Sequence, residues 1–484
     1  MAVFRPQAEQ KIPMKFRKFI PLVLPTVALC ISLSGSEQYE LTQEQAIAMA
    51  LEKNFNILIG EIDPEIQKQR VRQEKGAFDP VLSASFTETV SQSGDGVPKE
   101  HSSALETNLS GKLPTGTSYS IGLQASQDDD TSSSNNYSSF AGVTIAQSVL
   151  KNFGLGANWA YVRIADRQHK IAEWELSQTA LDVMLEVVYA YNSYFLALQN
   201  AEVAARNRDL AAQLVEDNRK RIEQGMMSPV DIAVAEAELA VREERVLRNT
   251  GNLRIQENRL KNLLFSDYRG IIGKELIIGA LPQAVAPETD LTQDFQTALD
   301  RQPEFRIRQI EREIAQLQLD QARNQQLPDL TVQASYGTAG YGHSVNDSIG
   351  NLGKGNLDDY SVGMSLNYPI PNRSARAETA IARLNLRRMD LGIEQSKQGI
   401  MLDLHSATVL IETNWNRVQA ARKARELSNQ MLLAEQKKLQ AGTSSTFVVL
   451  RLQNDVANAQ IQEFQTISDY NISLAQLARL KGML

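Results

Sequence analysis

Arg221-Ile222-Glu223-Gln224-Gly225-Met226-Met227-Ser228-Pro229-Val230-Asp231 has a counterpart 217 positions on, Lys438-Leu439-Gln440-Ala441-Gly442-Thr443-Ser444-Ser445-Thr446-Phe447. Each stretch ends a very long helical pattern. The first pattern runs over about 157–224 without a Gly or Pro, and the second over about 374–441, interrupted only by Gly392 and Gly399. At ~1.5 Å per residue, ~68 residues make a rod of roughly 100 Å, too long for the inside of a compact domain. Gly225 and Gly442 suit the left-handed residue that stops a helix sharply. Ser228 or Thr446 can cap the helix that follows, and Pro229 suits its first turn. Shorter helical patterns then run to about 265 and 483, so each copy reads as a helical hairpin.

Working outward, the duplication covers the chain. Leu41-Thr42-Gln43-Glu44 returns as Leu291-Thr292-Gln293-Asp294, each Thr standing as a candidate helix cap. Gln45 completes a capping-box pattern with Thr42, whereas Phe295 stands in that place in the second copy. Polar segments of helical spacing follow, over about 42–75 and 291–326. Asp79-Pro80-Val81-Leu82 then pairs with Pro328-Asp329-Leu330-Thr331, the prolines 248 positions apart. The offset of 248 here against 217 at the turns places 31 extra residues in the first copy, between about 91 and 139.

Strand signals fill both copies. Tyr360, Val362, Met364, Leu366 and Tyr368 alternate with small or polar residues, as do Leu330, Val332, Ala334 and Tyr336. The first copy gives Leu82/Ala84/Phe86, Tyr119/Ile121/Leu123/Ala125, Ala141/Val143/Ile145 and a weaker Leu105/Leu109. This period fits a membrane barrel strand and, equally, a soluble sheet with one wet face. The rods decide the context. Two short helices laid end to end match one long helix, which describes a cylinder of helices alternately continuous and spliced. The splice falls near 266–290, where Gly270, Gly273, Gly279, Pro282 and Pro287 predict an irregular belt. Phe447, Leu450, Asn454, Ala457, Ile461 and Phe464 recur at three and four, either a coiled-coil seam or a bundle core stripe.

Composition removes several classes. The 484 residues carry 50 Lys and Arg against 57 Asp and Glu, a net charge of −7 that does not fit a nucleic-acid binder. One cysteine, Cys30, and four histidines leave no disulfide framework and no Cys or His metal cluster. No phosphate-cradling Gly loop, paired-His zinc helix or Ser elbow occurs, so no catalytic residue and no cofactor are expected. Asp128-Asp129-Asp130 reads as a solvated loop, and Met226-Met227 as residues that pack against a partner helix. Lys11, Lys15, Arg17 and Lys18 before the apolar stretch Phe19–Leu33 and Ser34-Gly35-Ser36 predict an export signal over 1–36, with Cys30 in the removed segment.

These residues resemble the TolC-like outer-membrane efflux family from Leu41 to Leu484. The two Leu-Thr openings, the Asp79-Pro80 and Pro328-Asp329 strand entries, the strand exits Ala146–Gly154 and Tyr368-Pro369-Ile370-Pro371-Asn372-Arg373, and the two turns in duplicated order carry the resemblance. It implies an α+β, internally duplicated fold. Very long helical hairpins form a periplasmic tunnel, and β-strands contribute to a shared trimeric β-barrel. The expected parts are helices over 37–76 and 155–265, strands over 78–150, a belt over 266–290, helices over 291–326 and 374–483, and strands over 328–371. The implied partners are two further copies in a homotrimer, a periplasmic adaptor (membrane fusion protein), an inner-membrane pump of RND or ABC type, and outer-membrane lipid. The implied function is a passive exit duct for tripartite efflux or type I secretion. Gly225, Ser228, Asp231, Gly442, Thr443 and Thr446 become turn or adaptor-docking residues. Two Asp residues that ring the entrance in the best-known member are replaced here by Val448 and Arg451, with Asp455 one turn later. The entrance is therefore expected to close by apolar packing at Val448, with Arg451 either lining the lumen or pairing outward. The rival reading is a periplasmic coiled-coil scaffold or adaptor without a membrane barrel.

Overall fold

The computed structural model describes residues 39–91, 100–127, 137–224, 229–267, 276–279, 281, 284–287, 290–354, 358–441 and 443–484. The expected export signal lies outside them. The chain begins with β1 (Tyr39–Leu41), α1 (Gln43–Lys53), α2 (Phe55–Gly60) and α3 (Ile62–Lys75). Strands β2 (Val81–Ser91), β3 (Glu100–Lys112), β4 (Thr117–Gln127) and β5 (Tyr137–Ser148) follow. Then come α4 (Gly154–Asn158), α5 (Ala160–Glu223), α6 (Pro229–Leu264) and β6 (Leu276–Ile278). The second copy holds α7 (Leu291–Arg301), α8 (Pro303–Gln325), β7 (Asp329–Gly342), α9 (Val345–Gly350), β8 (Asp358–Asn367), α10 (Arg373–Gln440) and α11 (Thr446–Leu480). The rods α5 and α10 have 64 and 68 residues. No helix among the described residues is long and apolar enough to cross a membrane.

The helical openings differ from the sequence expectation in two ways. Thr42 does cap α1, accepting from the Gln45 amide at 3.2 Å while Gln45 Oε1 accepts from the Thr42 amide at 3.0 Å. In the second copy the cap is Asp290, not Thr292. Its Oδ1 accepts from the amides of Thr292 and Gln293 at 2.9 and 3.2 Å. A carboxylate at that place takes the free amides and the positive helix end together, so Leu291 and Thr292 are already helical. Thr42 and Asp290 are 248 positions apart, the same offset as Pro80 and Pro328. The Leu-Thr pairing was therefore slipped by two residues.

Secondly, neither opening is one helix. Asn54 and Gln302, again 248 apart, adopt extended ψ values of 130° and 120°. Gln302 precedes Pro303, whose ring clashes with a helical predecessor. Asn54 leaves the helix to cap α2, accepting from the Asn56 amide at 2.9 Å and donating to the Leu263 carbonyl at 3.1 Å.

Among the described residues, all strands but two lie in one antiparallel sheet, in the order β2-β3-β4-β5-β7-β8. The other two, β1 and β6, pair in parallel, so the belt expected to be irregular contains a strand. Two apolar clusters sit against this belt. In the first, Tyr191 and Tyr194 of α5 reach the belt, their hydroxyls donating to the carbonyls of Leu41 at 3.0 Å and Leu276 at 2.5 Å. In the second, Tyr470 of α11 donates to the Val285 carbonyl at 2.5 Å and packs on Trp415, ring centroids 5.7 Å apart. Burial pushes the phenols of Tyr191 and Tyr470 above their ordinary pKa, since the charged form loses its water.

Candidate functional site: hairpin tips and an open seam

The seam of α11 runs one position off the expected stripe. Phe447 is 64% exposed, while Val449, Gln453, Val456, Glu463 and Tyr470 are buried, stepping by three, four or seven along the heptad. Val449 and Val456 pack with Leu432. Leu450 and Ala457 are buried on a second face, and Phe464, seven residues further on, stands edge-on to Phe195 of α5. One helix thus packs on both hairpins, which is why a single stripe described it poorly.

At the second tip, the Thr443 amide donates to the Lys438 carbonyl at 2.9 Å, the six-to-one bond of a Schellman helix end. Ser444 Oγ donates to Glu435 Oε1 at 2.6 Å, and Lys438 Nζ lies 3.0 Å from Glu435 Oε2. These two donors hold the Glu435 carboxyl below its usual pKa. Ser445, not Thr446, is the N-cap residue of α11; Thr446 is the first helical residue and its hydroxyl lies 3.5 Å from Asn218 Oδ1 of α5. Gly225, Ser228 and Gly442 lie outside the described residues, as does the side chain of Asp231 in the first turn of α6. Val448, Arg451 and Asp455 fall on one exposed stripe of α11, spaced three and four apart. Arg451 makes no ion pair among the described residues of its own chain.

Sequence reading missed the side chain that ties the two hairpins. Arg242 of α6 is 1% exposed. Its Nε lies 3.1 Å from Glu238 Oε1; its Nη1 donates to the Asn207 carbonyl of α5 at 3.0 Å and to Gln453 Oε1 at 3.2 Å. Its Nη2 donates to the Leu450 carbonyl of α11 at 3.2 Å. A fork of fixed donors satisfies three helices at once, which a lysine ammonium would not do in that geometry. Nothing in the local sequence separates Arg242 from Arg245 or Arg248. The only hint is its position seven residues after the buried Ala235. Beside it, a groove of about 790 Å³ runs between α6 and α11, lined by Val234, Val241, Arg245, Phe447, Arg451 and Asp455 among others.

The other end of the molecule is unfinished. Near the sheet, α3 packs on α5, α5 on α8, and α8 on α10. Near the tips the order is α6, α5, α11, α10. The outermost helices expose apolar stripes: Phe55, Ile59, Ile62 and Ile66 on α2 and α3, and Leu384, Leu391, Leu402 and Val409 on α10. Spacings of 7, 11 and 7 keep the α10 residues on one side. The sheet ends the same way. β2 follows α3, β8 precedes α10, and among the described residues each has one edge without a partner strand.

Family comparison agrees with this geometry. The model of the outer membrane efflux protein family matches residues 111–264 and 295–483, well over half of the chain. The chain belongs to that family. It is similar to the outer membrane protein TolC of Vibrio cholerae, 20% identical over 351 residues, spanning 71% of this chain and 76% of that protein. Among solved structures, the CmeC outer membrane channel of Campylobacter jejuni superposes with a TM-score of 0.68 at 14% identity, covering 95% of this chain and 93% of that one. VceC of Vibrio cholerae does so at 0.68 and 16% identity, covering 91% and 96%. As a member of the outer membrane efflux protein family, this chain is an exit duct of the outer membrane that extends into the periplasm, and not an enzyme. The reading as a barrel-free periplasmic scaffold is set aside.

Proposed function

We propose that three copies join head to tail along the open seam into a passive channel-tunnel, opened at its tips by a periplasmic adaptor and an inner-membrane pump. The observation that carries this is the coincidence of both unfinished borders. The α3–β2 border and the β8–α10 border are continuous in the chain, apolar along the helices, and unpaired along the strands. In hydrocarbon an unpaired strand edge costs several kcal/mol per backbone group, so only closure satisfies it. Two different borders meeting head to tail close into a ring.

The purified protein in lipid nanodiscs is expected to have three times the single-chain mass. Changing Leu384 and Leu391 together to Asp should release single chains. A wild-type monomer in lipid, or an Asp pair that still assembles, would refute the seam.

The turn residues Gly225, Ser228, Asp231, Gly442, Thr443 and Thr446 form the adaptor surface in this reading. The pump is of RND or ABC type, and the cargo leaves by tripartite efflux or type I secretion. Val448, Arg451 and Asp455 line the entrance, Val448 by apolar packing among three copies. Arg451→Ser is then expected to raise single-channel cation selectivity; unchanged selectivity counts against a luminal Arg451.

A further inference from the structure

Among the described residues, the first copy puts four strands into the sheet and the second two. Resting on the trimeric reading above, we infer that the barrel wall is built from eighteen strands, six per chain, with the β3–β4 hairpin forming part of its lipid-facing wall. The surface concerned is the free edge of β2, and its partner is the β8 edge of a second copy of this chain.

Three observations place the hairpin inside the wall rather than above it. First, β3 and β4 separate β2 from β5, so the sheet is continuous only through them. Second, one apolar row crosses all six strands in register: Leu82, Leu109, Ile121, Val143, Tyr336 and Tyr360. The row Ser110, Ser120, Thr144, Ser335 and Ser361 runs on the opposite face. A hairpin standing in water has no reason to continue an apolar face in step with its neighbours. Third, the β3–β4 turn is docked where strands meet helices. The Thr115 carbonyl accepts from the Gly154 amide at 2.9 Å, and the Leu113 amide donates to the Thr117 carbonyl at 2.7 Å. Gly116, at φ +88°, has no room for a side chain against the Asn152 carbonyl. The hairpin therefore reaches down to the helical end, the full height of the wall.

The consequence is width. Strands ~4.8 Å apart and tilted by ~40° each occupy roughly 6 Å of girth, so eighteen give roughly 110 Å and a diameter of roughly 35 Å. Twelve strands would give roughly 75 Å. Four helices per chain at each level make a ring of twelve, and spacings of 8–10 Å give a girth of roughly 100–120 Å. An eighteen-strand wall thus meets the tunnel at nearly its own girth, and the duct does not narrow as it enters the membrane. Bulky solutes are limited by the tip, not by the outer mouth.

Imaging the trimer in lipid nanodiscs decides this by counting strands. Eighteen strands in a closed wall are expected. A closed barrel of fewer strands with the β3–β4 hairpin outside it would overturn the inference while leaving the channel-tunnel standing; no closed barrel would overturn both. Because Cys30 is the chain's only cysteine, nitroxide labels can be placed singly on a Cys30→Ser background. Labels at Leu109→Cys and Ile121→Cys should be relaxed by lipid-dissolved oxygen at least several-fold more than by a water-soluble nickel chelate, and at Ser120→Cys the preference should invert. Water-exposed labels at all three positions would sink the proposal even where the trimer is intact.

Discussion

The two copies share a scaffold and differ in what each contributes to the assembly. Helix caps and helix breaks recur at an offset of 248, and the tips at 217. Yet α6 packs on its own hairpin partner α5, while α11 packs on both α10 and α5. Position 242 holds an arginine, and its counterpart 217 residues on is Ala459. The first copy thus supplies the reaching side chain and the second supplies the helix it reaches. Duplication fixed the architecture; divergence at single positions made the two hairpins unequal, and a pair of unequal hairpins can be tied together or parted.

Arg242 offers the strongest way to break that relation. Arg242→Ala leaves the carbonyls of Asn207 and Leu450 and the side chain of Gln453 without this donor in a buried place, and removes the ion pair to Glu238. Removing one partner of such a buried network costs about 3–5 kcal/mol. The tips should part more readily, seen as a lower melting temperature and a larger single-channel conductance. Ala459→Ser, at the corresponding place in the second copy, should leave both unchanged. Equal effects at the two positions would remove the asymmetry.

A second difference between the copies is the inserted hairpin, and Gly116 tests how firmly it is anchored. Its positive φ and the adjacent Asn152 carbonyl both oppose a side chain. Gly116→Ala is expected to cost about 1–3 kcal/mol, read as reduced heat resistance of the folded barrel in gel-shift assays. An unaltered barrel would mean that the turn is not seated on the helices.

Much of this was legible because its signals are long. Rods of 64 and 68 residues show in a sequence as uninterrupted helical spacing, and alternating strands show as period two. Family membership followed from the order of several motifs. Short-range features were less visible. Asp290 looked like loop, because Leu291-Thr292 offered a plausible cap two residues later. Asn54 carries no breaking signal beyond its own side chain, which leaves the helix for Leu263, 209 residues away. The weak strand around Leu105 and Leu109 became a full strand only through its neighbours in register. Arg242 was invisible for the same reason: its partners outside α6 lie on helices 35 and 208 to 211 residues away.

The caps give a finer comparison between the copies. Thr42→Ala and Asp290→Ala should each cost about 1 kcal/mol in chemical denaturation, because each strands helix-end amides. Thr292→Ala should fall within experimental error, since Thr292 contributes its amide rather than its hydroxyl to the cap. A loss at Thr292 equal to that at Asp290 would restore the Leu-Thr pairing.

The smallest expected effect concerns acid at the second tip. Ser444 and Lys438 hold the Glu435 carboxyl below the usual 4.5. A carboxyl lowered by folding contributes its stabilisation fully above its ordinary pKa and loses it as pH falls through the lowered folded value. The helix end at Lys438–Thr443 should therefore loosen below about pH 4.5, in the range where the carboxylate takes up a proton. Hydrogen exchange over 437–446, corrected for intrinsic rates, should rise more steeply with acid in the wild type than in Glu435→Gln, which carries no titrating carboxyl there. Parallel curves would show that Ser444 holds the turn regardless of charge, and that acid reaches the tip through other carboxylates.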